Sequence, residues 1–458
     1  MSRELQSFTF HPDRSAAPTR GLSCTSLMIG GMSMPLRSLC ALLACLLASC
    51  AISHSTSSSK ADPGTTARPV ATQAGDSVLL VSLDGFRADY LDLGITPNLS
   101  RIAREGVRAR WMTPSYPTLT FPNHYSMVTG LVPDHHGIVH NTMRDAALGG
   151  FKLSDRKAVG DGRWWGGEPI WVGAEKAGLP SATLYWPGSE AEIAGVRPTR
   201  WSQYREGHTL PLDARVDTVL GWMSEPQATR PRIATLYFET IDHDSHAYGP
   251  DSPQAHAAVR TVDAALGRLL DGLAARGIAG QINLIVVSDH GMATVPRSQL
   301  VAVEDVVSKE EATVVTIGQA ITIAPNPGYE ARVERKLLGS HDGYDCWRKD
   351  ELPVRWRYGS HPRIPPIVCQ MHEGWDMLPR EVIARRTVET RGSHGYDPAL
   401  PSMRALFVAS GPAFRRGVTL QPFANVDVYP LLARLLGLRP APNDGDIAPL
   451  LPALRATP

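Results

Sequence analysis

"NLIVVSDHGM", Asn283 to Met292, sets an apolar, β-branched run directly against Asp289-His290-Gly291. A strand interior gains from Val and Ile, whereas a carboxylate or imidazole at its mouth costs desolvation unless something pairs with it. The same pattern recurs in "SVLLVSLDG" from Ser77 and "RIATLYFETIDHDSH" from Arg232, and a fourth apolar run, "RALFVASGP", starts at Arg404. Continuous apolar runs, as opposed to alternating ones, predict strands covered on both faces, as in a parallel sheet. Between them lie helical patterns such as Ala255 to Gly277, with apolar residues three and four apart and a closing Gly. Strands alternating with such helices predict an α/β fold: a doubly wound, mostly parallel sheet flanked by helices. The stretch from about 293 to 391 is less regular and is expected to form a smaller inserted cap.

In open α/β sheets ligands bind beyond the carboxyl ends of the strands. The first run ends in Asp84-Gly85, the second in Glu239 to His246, and the third in Asp289-His290. Three strands thus bring acids and imidazoles to one sheet edge. Asp242 and His246 are four apart and share a face if the segment turns helical. "RGSHGYDP", Arg391 to Pro398, offers His394 in a Gly-rich loop. Carboxylate and imidazole donors favour zinc, with manganese and iron as alternatives. Asp84, Asp242, His246, Asp289, His290 and His394 are enough for two metals, and such a pair suits in-line phosphoryl displacement. Ser115, Thr118, Thr120 and Ser126 supply hydroxyls as candidate nucleophiles, and spacing alone does not choose among them.

The chain has 458 residues, a formal charge of +1, 43% hydrophobic and 20% charged residues. That is ordinary globular composition, with no like-charge block for specific nucleic-acid recognition. Residues 1–33 read as an over-extended start or leader. "MPLRSLCALLACLLASC", Met34 to Cys50, reads as an export signal, and its end resembles a bacterial lipobox with Cys50 as the lipidated residue. Residues 51–75 read as a Ser/Thr-rich tether. Residues 76–458 are expected to form the catalytic domain, with no further domain after it. In an exported chain, Cys346 and Cys369 predict a disulfide that staples the irregular insertion.

Four motifs carry a resemblance: "TLTFPNHYSMVTGLVPDHHGIVHN", "WWGGEPIW", "WPGSEAEIAG" and "NVDVYPLLARLLGL". In this order, over roughly residues 76–440, they resemble the nucleotide pyrophosphatase/phosphodiesterase family of the alkaline-phosphatase superfamily, bacterial type. The resemblance implies Thr120 as nucleophile, forming a covalent phosphothreonine ester, and two zinc ions. Asp84, Asp289 and His290 would hold the zinc that also binds Thr120; Asp242, His246 and His394 would hold the other. Asn141 and a backbone N–H near Thr120 would hydrogen-bond phosphate oxygens. Phe121 and Tyr204 match an aromatic clamp on a nucleobase, with Tyr237 as a further substrate contact. His124 reads as a structural hydrogen-bonder, His243 as outside the ligand set, and His135, His136 and His140 as surface or loop residues.

The expected activity is hydrolysis of nucleotide phosphodiester or pyrophosphate bonds to nucleoside 5'-monophosphates by a periplasmic or lipid-anchored monomer acting on small molecules. The rival readings are a lysophospholipid or choline-type phosphodiesterase on the same site and a catalytically silent binding lipoprotein. A monoesterase or sulfatase is disfavoured, because no Arg adjoins Thr120 to hold a dianionic group.

Overall fold

The computed structural model describes residues 76–456. Cys50, the export signal and the tether lie outside the described residues. No helix among the described residues is long and apolar enough to cross a membrane.

The main sheet has eight strands: β1 (Ser77–Leu83), β2 (Val107–Ala109), β3 (Ser181–Leu184), β4 (Arg200–Ser202), β5 (Ile233–Phe238), β6 (Ile282–Val287), β7 (Phe407–Ser410) and β8 (Val418–Leu420). Their order is β8-β2-β7-β6-β1-β5-β3-β4. The five strands from β6 to β4 are mutually parallel. β7, the fourth apolar run, pairs antiparallel with both β6 and β2. Its continuous apolarity reflects burial on both faces and carries no information about direction.

Alternate residues of β1 feed two cores. Val78 and Leu80 pack with Val128, Trp171 and Leu432 on one face. Leu79, Val81 and Leu83 pack with Ile102, Val219 and Leu266 on the other. This is the doubly wound arrangement that the sequence pattern predicts. The helix expected from Ala255 spans Pro253–Ala275, starting two residues earlier because the Ser252 side chain accepts from the Ala255 N–H and Pro253 occupies the first turn.

Beyond β6 the chain leaves through the strand Ala293–Pro296 and returns through Thr390–Ser393, which pairs antiparallel with it. Between them lies a five-stranded antiparallel sheet, built from segments between Ala312 and Met371. Its interior includes Ile321, Ile323, Val333 and Ile367. Cys346 and Cys369 face each other on neighbouring strands and are joined by a disulfide.

Candidate active site

β6, β1 and β5 are adjacent and parallel, so Asp289-His290, Asp84 and the segment after Phe238 emerge side by side. β5 runs almost directly into the helix Thr240–Tyr248, whose first turn carries Asp242 and whose next turn carries His246. Register delivers the sixth residue. Ala293 opposes Ser393, so His394 lands beside His290 from a hundred residues away, and their rings stack with centroids 3.6 Å apart. Two glycines permit the close approach. Gly85 has φ +67°, and a Cβ there would lie 3.1 Å from Asp242; a Cβ on Gly291 would lie 2.0 Å from the Ser402 carbonyl oxygen.

The six side chains form two clusters, Asp84–Asp289–His290 and Asp242–His246–His394, each with one donor atom per residue within 4.8 Å of the others. In the first, His290 Nε2 lies 2.9 Å from Asp289 Oδ2 and 3.5 Å from Asp84 Oδ1. In the second, Asp242 Oδ1 lies 3.5 Å from Nε2 of both His246 and His394.

The outer contacts leave one atom of each residue facing its cluster. His290 Nδ1 donates to the Gly291 carbonyl, His246 Nδ1 to that of Gly392, and His394 Nδ1 to that of Thr118. A carbonyl can only accept, so each neutral ring presents an Nε2 lone pair to the site. Tyr237 donates its hydroxyl to Asp84 Oδ2 at 2.5 Å, and the Gly85 N–H donates to Asp289 Oδ1 at 3.2 Å. Asp84 Oδ1, Asp289 Oδ2 and Asp242 Oδ1 are buried with no hydrogen-bond partner. Orphaned buried carboxylate oxygens are costly, and their convergence with imidazole lone pairs fits a divalent cation in each cluster.

The electrostatics agree. Burial, then repulsion from Asp289 and Asp242, pushes Asp84 well above the usual carboxylate range. Burial opposes ionisation of Asp289 too, yet the imidazoles of His290 and His124 hold it well below that range. Burial likewise disfavours charge on His290, but Asp289 outweighs it and raises the imidazole. Burial, then His290 and His246, drives His394 well below its ordinary value. Adjacent carboxyls are forced apart in acidity, as expected of a cluster that needs added positive charge.

The structure separates the four hydroxyls. Thr118 donates to the Tyr396 carbonyl, Ser115 to Asn425, and Ser126 bonds His136. Thr120 Oγ1 lies 3.3 Å from His290 Nε2, against the first cluster. It opens the helix Thr120–Thr129, where Pro122 sits in the first turn and needs no N–H partner. Asn123 anchors the approach, donating to the Pro117 and Leu119 carbonyls and accepting from Ser115 N–H.

Asn141 Oδ1 accepts from the Phe121 N–H at 3.0 Å, which ties Asn141 to the residue next to Thr120. That backbone N–H is therefore already bonded to Asn141. Phe121 packs near Phe151 and Trp165, and Tyr204 lies edge-on to Tyr185 and Tyr237. The two rings of the expected clamp do not pack on each other. Tyr237 is buried and commits its hydroxyl to Asp84, a contact that strand patterning does not reveal.

His124 is fully buried: Nδ1 donates to the Thr120 carbonyl and lies 3.3 Å from Asp289 Oδ2, and Nε2 accepts from Ser82 Oγ. His243 is exposed beside Asp244. His136 and His140, expected as surface or loop residues, are both buried, His140 in a loop, and burial pushes them down to about 3 and about 4. The turn carrying them folds inward, with His136 against Tyr125 and Ser126.

The family model described as type I phosphodiesterase / nucleotide pyrophosphatase matches residues 78–397. The chain is 37% identical to an uncharacterized pyrophosphatase/phosphodiesterase of Schizosaccharomyces pombe, over 83% of this chain and 80% of that protein. It is 36% identical to human ectonucleotide pyrophosphatase/phosphodiesterase family member 1 over 80% of this chain, spanning 40% of that longer protein. Among solved structures, murine ectonucleotide pyrophosphatase/phosphodiesterase 5, an inactive variant in complex with AMP, superposes with TM-score 0.78 at 34% identity, covering 83% of this chain and 100% of that one. With that match laid over a sheet whose strand ends carry both clusters, the chain belongs to the type I phosphodiesterase / nucleotide pyrophosphatase family of the alkaline-phosphatase superfamily and is a hydrolase of that class.

Proposed function

We propose that this protein is an exported, two-zinc phosphodiesterase/pyrophosphatase that hydrolyses nucleotide phosphodiester or pyrophosphate bonds to nucleoside 5'-monophosphates through a phosphothreonine on Thr120. The carrying observation is the placement of Thr120 Oγ1 against His290 beside three orphaned carboxylate oxygens. Asp84, Asp289 and His290 would hold one ion and Asp242, His246 and His394 the other. Bound there, the ions supply Lewis-acid charge that makes a threonine hydroxyl nucleophilic at neutral pH and offsets charge on the leaving oxygen.

The remaining work falls to the chain. Thr120 Oγ1 gives up its proton to solvent and bonds to phosphorus while the leaving oxygen departs with the bonding pair and takes up a proton. Water oxygen then bonds to phosphorus as the Oγ1–P bond breaks, and a proton from that water restores the Thr120 hydroxyl as the monophosphate leaves. The amide NH2 of Asn141 donates to a non-bridging oxygen, and the helix beginning at Thr120 directs its N-terminal dipole at the phosphate. Phe121 and Tyr204 would grip the base from separate sides. Tyr237 orients Asp84, and His124 ties the Thr120 turn to Asp289. Lipidation of Cys50 would anchor the protein at a bacterial envelope, as a monomer.

Steady-state kinetics of the metal-loaded protein test this, comparing a thymidine 5'-monophosphate aryl diester, an aryl phosphocholine and an aryl phosphate monoester. The nucleotide diester is expected to have the highest kcat/KM. Preference for phosphocholine would move the function to lipid headgroups, and dominant monoester turnover would overturn the reading of the surroundings of Thr120.

A further inference from the structure

A cleft of about 650 Å³ lies behind the Asp289–His290 loop, lined in part by Arg87, Arg110, Trp111, Ser402 and Arg404. Its acids are mostly engaged: Asp89 and Asp251 pair with Arg87, and Asp92 pairs with Arg108. Arg110 and Arg404 are different. Each guanidinium is placed at the Trp111 ring, 5.8 Å and 3.9 Å from its centroid, and neither has an ion pair or side-chain hydrogen bond among the described residues. A guanidinium carries five donors in a fixed fork that matches a phosphate or carboxylate. Arg404 is half-buried, so its lack of an acceptor is unlike that of a solvated surface Arg. Ser402, between them and the loop, has a buried Oγ with no partner.

We propose that this cleft is an oxyanion-binding site, separate from the catalytic clusters, that takes the phosphate group of a small monoester or free phosphate between Arg110 and Arg404. Trp111 lies within cation–π range of both guanidiniums, closely for Arg404, which reduces the side-chain entropy lost on binding. Glu373 also lines the cleft without an ion pair among the described residues, which favours a compact anion over a polyanionic chain. The site adjoins the reaction centre through the backbone: Gly291 N–H donates to the Met403 carbonyl and Met292 N–H to that of Ser402.

Calorimetric titration of the metal-loaded full-length protein with inorganic phosphate tests the proposal. Wild type is expected to show two binding events. The Arg110→Gln/Arg404→Gln variant is expected to keep one, with the other weakened at least about tenfold, as loss of charge-assisted hydrogen bonds requires. Its turnover of a nucleotide diester in phosphate-free buffer should match wild type. Identical phosphate isotherms for the two proteins would overturn the site. If the double variant does not fold, Arg110→Gln alone, at an exposed side chain, must still weaken one event, and Trp111→Phe must remove a phosphate-dependent change in tryptophan emission. Repeating the titration with AMP identifies the source. Binding that Arg404→Gln weakens points to a monoester, and AMP binding indifferent to Arg404 restricts the cleft to free phosphate.

Discussion

The two carboxylate–imidazole clusters offer the same donors on different supports. Asp84, Asp289 and His290 sit at the ends of adjacent central strands, with side chains at most 2% exposed. Asp242 and His246 ride one face of a helix, with side chains 18% and 31% exposed, and His394 comes from a returning strand. The first cluster is oriented by side chains, Tyr237 and His124, as well as by backbone. In the second, both imidazoles are oriented by carbonyls. A cation held by the first would be the better shielded from water and is expected to exchange more slowly than one held by the second.

The largest effect is expected where the first cluster meets Thr120, the proposed nucleophile. Thr120→Ala should lower kcat by at least about a thousandfold, the scale seen when a nucleophile is removed. Metal analysis of the purified variant should still find both ions, and loss of an ion would show that Thr120 is needed to build the cluster.

Chelation tests the contrast directly. Metal content followed against chelator should fall in two steps, the more exposed Asp242–His246–His394 cluster first, and simultaneous release would erase the distinction. Asp289→Asn should cost more metal affinity than Asp242→Asn, because it leaves a desolvated imidazole pair without its main counter-charge. Both losses should exceed the roughly 10- to 100-fold typical of an outer-contact change.

Tyr237→Phe falls in that range: about 10- to 100-fold in metal affinity or kcat/KM, with the fold intact by circular dichroism. If KM for the nucleotide rises while metal affinity holds, the tyrosine serves substrate and not Asp84. The smallest effect on turnover is expected far from both clusters. Cys346→Ser/Cys369→Ser should leave kcat/KM within about twofold while lowering stability by about 3 kcal/mol, since the bridge closes a loop of 23 residues' separation. Thermal unfolding measures the latter.

Much of this was legible because apolar strands that end in acids and imidazoles announce themselves: each of β1, β5 and β6 carries its polar terminus within a few residues. The hydroxyls were not separable that way. Thr118 and Thr120 are two residues apart; the family resemblance singled out Thr120, and the structure distinguishes them by the Tyr396 carbonyl at one and His290 at the other. The burial of His136 was not legible either, since a polar turn can be folded inward when Ser126 and the Tyr125 ring receive it.

By itself the sequence determined the layered α/β class and which strand ends carry chemistry, because side-chain periodicity and local polarity are properties of neighbours in the chain. Tertiary structure decided the antiparallel direction of β7, the commitment of Tyr237 to Asp84 and the stacking of His394 on His290. Those depend on strand register and on contacts across as many as 153 residues, and no local pattern encodes them.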